Sequence, residues 1–205
     1  MQSAEAGKIS TKMRTIRTRR LHLVPVSPKN AGQLWEILQQ PDLRTYQDLP
    51  TMSLKAFGQL VASRPTRLLP GATGRFEWMV TLAPSPRAVG WVSLRIAGRE
   101  SGAGEIGYTI LRDYRGRGIA TEAVSALLAE AFGAAHLARV QAFCLPDNLA
   151  SRRLLARLDF HSDGVMPHGA IVSGRTVDVI IHRLERSRWI QSGKTMEMPA
   201  SAYPA

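Results

Sequence analysis

The chain has 205 residues, 44% of them hydrophobic and only one of them cysteine, Cys144. That is enough for one domain with a full core; it excludes an internal disulfide and a cysteine-based zinc site, and no apolar run approaches the length of a membrane-spanning helix. Lys and Arg number 27 against 16 acids, a formal net charge of +11 that favours anionic partners, but the excess is scattered and carries no zinc-finger spacing or RNA-binding aromatic signature, so no specific nucleic-acid recognition is expected.

Residues 1–17 hold Lys8, Lys12, Arg14 and Arg17 against a lone Glu5 and read as a disordered basic arm. "LHLVPV", Leu21 to Val26, alternates as a strand does, at a sheet edge because Pro25 lacks an amide donor. A helix follows, with Ser27 as its cap, Pro28 in its first turn and Ala31, Leu34, Trp35 and Leu38 on one face. A polar connector with Tyr46 leads to a second helix, Ser53 to Ser63, whose inward face is Leu54, Phe57, Leu60 and Val61. "FEWMVTLAP", "AVGWVSLRI" and "EIGYTIL" then read as three strands of a meander joined by the turns "SPR" and "GRESGAG". The strongest helix runs from Ile119 to Phe132, with Ala120, Ala123, Val124, Leu127, Leu128 and Ala131 inward. A strand at Arg139 to Leu145 and a short helix capped by Asp147 or Asn148 come next; Leu154, Leu155 and Leu158 point in, and Arg152, Arg153 and Arg157 point out. "TVDVIIHRL" is the final strand, and residues 190–205 read as a disordered tail. One domain over residues 18–189 is expected, of the α/β (α+β) class in three layers, its sheet mixed because hairpins flank a strand-helix-strand unit. No secretory signal is expected, and a reducing compartment, the cytoplasm, is.

"DYRGRGIATEA", Asp113 to Ala123, stands between a strand and the strongest helix. It is not a Walker loop, because Ile119 and Ala120 follow Gly118 where Lys and Ser/Thr would stand. It is not a dinucleotide fingerprint, because Thr121 stands where the third glycine belongs. What remains is a glycine-opened helix start. Gly116, Gly118 and Ala120 let backbone amides from Arg115 through Ile119 to Thr121 approach an anion, and Arg115 and Arg117 add positive charge.

"RGRGIA" resembles the Arg/Gln-x-x-Gly-x-Gly/Ala pyrophosphate motif of the GNAT N-acetyltransferase superfamily, with Arg115, Gly118 and Ala120 in register. "DNLASRRLLARLDF" resembles that family's second motif, and "GEIGYTILRDYRGRGIATEA" with "IRTRRLHLVPV" is similar to the branch that acetylates N-terminal residues of ribosomal proteins. The resemblance implies a GNAT fold: a mixed sheet of about six to seven strands, helices on both faces and splayed central strands. It implies acetyl-CoA as donor, its pyrophosphate on the amides of Arg115 to Thr121, its pantetheine arm along the strand around Ile110, and Asn148 beside the thioester. It implies direct transfer to an amine, an N-terminal α-amine in that branch, by a monomer or homodimer. Two other readings stay open: a small-molecule acceptor (an antibiotic, polyamine or amino acid), and a non-catalytic acyl-CoA-binding module.

For the base, the resemblance points to Glu105, with Asp178 as a second candidate. For the acid, the tyrosine that many GNAT enzymes carry seven residues after the motif Asn is here Leu155, and the resemblance points instead to Ser151. Tyr108 is a further hydroxyl on a strand rich in core residues. Cys144 reads as a small buried hydrophobe rather than a nucleophile. The five histidines show no metal spacing, so no metal is expected.

Overall fold

A computed structural model describes residues 12–47, 50–98 and 102–193. The arm up to residue 11, the tail from residue 194, and parts of the connector and of the "GRESGAG" turn lie outside them. The described strands are β1 (Ile16–Arg17), β2 (Leu21–Pro25), β3 (Gly74–Leu82), β4 (Ala88–Ile96), β5 (Ala103–Ile110), β6 (Arg139–Cys144), β7 (His161–Val172) and β8 (Arg175–Glu185). The helices are α1 (Ala31–Leu38), α2 (Leu54–Ala62), α3 (Ile119–Phe132), α4 (Leu149–Arg157) and α5 (Arg186–Gln191), with 3-10 turns at Pro41–Thr45 and Arg112–Tyr114. None of these helices is long and apolar enough to cross a membrane.

All eight strands form one sheet in the order β1-β2-β3-β4-β5-β6-β8-β7. Every neighbouring pair is antiparallel except β5 and β6, which are joined through α3. The sheet has two packed faces because β3, β4 and β5 alternate. Phe76, Trp78, Val80, Val92, Leu94 and Ile106 meet Val124, Leu127, Leu128 and Ala131 of α3. Met79 and Trp91 face the other way, onto Ala31, Leu34 and Leu38 of α1 and Phe57 and Val61 of α2. Each such side chain, fully buried, contributes about 1.5–3 kcal/mol of hydrophobic transfer.

Several local expectations are corrected. The first helix begins after Asn30, not Ser27: the Asn30 carboxamide accepts from the Ser27 amide at 2.7 Å and donates to the Pro25 carbonyl at 3.0 Å, closing a turn before the helix starts. Leu54 and Leu60 of α2 are exposed, because the helix touches the sheet only through Phe57 and Val61. Pro25 is not on the outermost strand, but two-residue β1 pairs only with His22 and Leu23 and stops short of it. Ahead of Thr18, Ile16 is buried and the Met13 amide donates to the Thr66 carbonyl at 2.8 Å.

At the other end Trp189 of α5 is buried against Phe132, the last residue of α3, with ring centroids 6.1 Å apart. Trp189→Ala would leave a large cavity under the end of α3. A loss of about 3–5 kcal/mol is expected, read as a lower midpoint in denaturant unfolding with an unchanged slope.

Candidate active site

The parallel pair β5–β6 is held over three residue pairs only, Ala103–Arg139, Gly104–Val140 and Glu105–Gln141. Beside this pair Gly104 leaves room for core side chains: a Cβ there would lie 2.6 Å from the end of Leu137 and 2.8 Å from that of Leu94. Beyond Glu105 the two strands part. β5 continues to Ile110 paired with β4 alone, and β6 continues to Cys144 paired with β8 alone. The β5 edge from Ile106 onward therefore presents backbone groups without a strand partner, which an extended ligand can pair with.

The glycine loop lies at the wide end of this wedge. Gly116 and Gly118 both have φ of +74°, the left-handed region that favours glycine, and Gly118 caps α3. The first helical amide with an acceptor is that of Glu122, bonded to the Gly118 carbonyl at 3.1 Å. Among the described residues, the amides of Gly116, Arg117, Gly118, Ile119, Ala120 and Thr121 have no acceptor. A run of free amides at the positive end of a four-turn helix fits a pyrophosphate. The arginines divide their work. Arg117 is exposed and its guanidinium lies 5.9 Å from the Tyr114 ring centroid. The Arg115 side chain is not free charge as expected: Nε donates to the Ile110 carbonyl at 2.8 Å and Nη2 to Asp42 at 2.7 Å. Ile110 thus has its carbonyl taken, and only its amide remains for an incoming arm.

Two sets of polar side chains flank the wedge on opposite faces. On the α3–α4 face, the Tyr108 hydroxyl and Ser151 Oγ are 2.7 Å apart. Asn148 caps α4 by accepting the Ser151 amide at 3.1 Å, which places that hydroxyl. Burial pushes the Tyr108 phenol well above its ordinary value, only partly offset by Ser151, so the phenol keeps its proton. Leu155 is fully buried core. Tyr108 is the residue that sequence reasoning undervalued. Its spacing marks it as packing, and only the 43-residue contact with Ser151 reveals the hydroxyl pair.

On the α1–α2 face, at the apex of the wedge, stands Glu105. It is on a central strand, and Arg95 Nε and Nη2 both lie 3.1 Å from its Oε2. Its Oε1 has no hydrogen-bond partner among the described residues. Glu77, in the same strip, is buried and paired with Arg64 and Arg75. The remaining candidates are used elsewhere. Asp178 accepts the His168 amide at 2.9 Å within the β7–β8 hairpin. Cys144 is buried, which pushes its thiol up and disfavours the thiolate that a nucleophile needs.

The acetyltransferase (GNAT) domain family matches residues 20–161, and the chain belongs to that family. The uncharacterized N-acetyltransferase p20 of Bacillus licheniformis is 27% identical over 84% of this chain and 96% of its own length. A ribosomal protein uS5-alanine N-acetyltransferase of Escherichia coli is 30% identical over 41% of this chain and 43% of its own. The solved structure of RimL, a ribosomal alpha-N-protein acetyltransferase in complex with coenzyme A, has a TM-score of 0.70 at 17% identity, covering 83% of this chain and 97% of that one. The protein is accordingly an acyltransferase of the GNAT class.

Two outcomes follow from the loop. Gly118→Val puts a branched side chain at φ +74° and 3.4 Å from Arg20 Nη2, so calorimetry should show acetyl-CoA binding weakened at least about tenfold. The second concerns Glu122, which receives hydrogen bonds from Thr18 and Arg20. Burial alone would raise its carboxyl, but those bonds and the Arg20 charge outweigh burial and hold it below the ordinary value. A depressed carboxyl stabilises the fold above its unfolded pKa of about 4.3, and that contribution is lost as pH falls through the lower folded value. The thermal midpoint of the wild type should therefore fall more steeply below about pH 4.3 than that of Glu122→Gln.

Proposed function

We propose that this enzyme transfers the acetyl group of acetyl-CoA directly to an amine, and that the acceptor is the α-amine of a protein N-terminus. The observation that carries the reading is the wedge between β5 and β6, which has free amides at its wide end and Glu105 at its apex. A thioester laid along β5 from the glycine loop brings its acyl carbon toward that apex. Acetyl-CoA supplies the activated acyl group; the chain's own residues hold it and move protons. The amides of Gly116 to Thr121 hold the pyrophosphate with Arg117 beside them, and the free β5 edge pairs with the pantetheine arm.

Glu105 accepts the amine proton on Oε1 while Arg95 holds Oε2. The new N–C bond forms as the C–S bond breaks, and the leaving thiolate takes a proton from the Tyr108–Ser151 hydroxyl pair. Asn148 acts by placing Ser151. An α-amine has a pKa of about 8, so roughly a tenth of it is neutral at pH 7, and one carboxylate or a water relay suffices.

The peptide acceptor is favoured by apolar side chains left exposed on two neighbouring elements. Tyr46, Met52, Leu54 and Leu60 are exposed on the α1–α2 side, and Val165, Met166 and Ile171 on the hairpin opposite. Ser173 in the hairpin turn donates to the Arg44 carbonyl at 3.4 Å, linking the two walls. Walls of exposed apolar side chains suit a chain of residues better than a small polycation. The names of the ribosomal-protein relatives point the same way.

A panel of N-terminal peptides and small amines, assayed with acetyl-CoA, tests the acceptor: kcat/KM should be higher for peptides, and an aminoglycoside or polyamine that outperforms them overturns this reading. Glu105→Gln should lower kcat by about 10²- to 10⁴-fold with little change in acetyl-CoA affinity. Tyr108→Phe and Ser151→Ala should each lower kcat, and the double variant should be no worse than the poorer single, because the two hydroxyls act as one donor.

A further inference from the structure

Arg20, far from the glycine loop in sequence, is bonded both to that loop and to the first turn of α3. From the turn before β2, its Nη1 donates to the Arg117 carbonyl at 3.0 Å. Its Nε donates to Glu122 Oε2 at 2.7 Å and its own amide to Oε1 at 3.0 Å. Thr18 adds a hydrogen bond to Oε1 at 2.6 Å. Its Nη2 lies 3.4 Å from where a Cβ of residue 118 would be.

We infer that Arg20 is a positioning residue for acetyl-CoA, acting through the Arg117–Gly118 peptide and through Glu122; this rests on the reading of the glycine loop as the pyrophosphate site. Two physical effects combine. A trans peptide is planar, so its C=O and N–H point in opposite directions. By holding the Arg117 carbonyl on one side, Arg20 aims the Gly118 amide to the other, where the free amides of the loop gather. The second effect is electrostatic. Glu122 sits in the first turn of α3 and competes with a bound anion for the same positive helix end. Arg20 neutralises that carboxylate and holds it turned toward the β1–β2 turn. Without Arg20 the loop would keep its glycines but lose the fixed direction of one amide and gain an uncompensated negative charge.

The test is acetyl-CoA affinity by calorimetry on the full chain, with thermal midpoints measured in parallel. Arg20→Ala should weaken binding by about tenfold or more, as loss of charge-assisted hydrogen bonds does. Arg20→Lys, which keeps the charge but not the fork, should fall between. The decisive variant is Arg20→Ala combined with Glu122→Gln. It should regain a large part of the lost affinity while its thermal midpoint stays at or below that of Arg20→Ala. A purely structural tie would show the reverse, with affinity following the midpoint and no regain, and that result overturns the proposal. Arg20→Ala binding acetyl-CoA like the wild type also overturns it. A wild-type protein that does not bind acetyl-CoA would instead sink the reading of the loop itself, and the inference with it.

Discussion

The proposed site depends throughout on a parallel strand pair that is allowed to form and then made to stop. Three residue pairs bring β5 and β6 together, and among them Gly104 leaves space for the side chains of Leu94 and Leu137. Past Glu105 each strand is satisfied from its outer side only, β5 by β4 and β6 by β8. A sheet normally closes such a gap, because unpaired backbone in its middle loses hydrogen bonds. Here the outer pairings are long enough to hold both strands without the inner one. The gap is therefore stable, central and lined with backbone groups that still need partners.

The two faces of the sheet then give the wedge two chemistries. Period-two alternation sends Glu105 toward α1 and α2, where buried Glu77 and its arginines already make a polar strip. The next odd-even step sends Tyr108 the other way, into the region under α4, where desolvation holds its proton and Ser151 meets it. The carboxylate proposed to accept a proton and the hydroxyl pair proposed to donate one thus lie on opposite faces of the same strand.

Local signals were strong where one element answers to one pattern. The α3 boundaries, Ile119 and Phe132, and those of β4, Ala88 and Ile96, coincide with the spans read from hydrophobic spacing. The glycine loop was legible because left-handed backbone and a helix start both leave marks on sequence. β7 was not, because it carries Gly164, Pro167 and Gly169, is exposed along most of its length and pairs with β8 through two register shifts. No alternation survives those conditions. The exposure of Leu54 and Leu60 was hidden for the opposite reason, since their spacing is helical and apolar although both stay largely exposed. Contacts between distant segments were the least visible. Arg20 with Glu122, 102 residues apart, and Tyr108 with Ser151 leave no trace in any window of sequence.

The two ends of α3 have a consequence for how the protein comes into being. Its first turn is tied to Thr18 and Arg20, and its last residue is packed under Trp189. The helix that frames the phosphate-facing loop is therefore complete only when the earliest and the latest parts of the domain are both in place. During synthesis the loop, the wedge strands and the hydroxyl pair all emerge from the ribosome before residue 189 does. A nascent chain lacking that tryptophan has every residue proposed to touch acetyl-CoA and still lacks the packing that holds the far end of the helix. The packing of that helix is thus completed last, with the closing helix, after every residue of the proposed site has already been made.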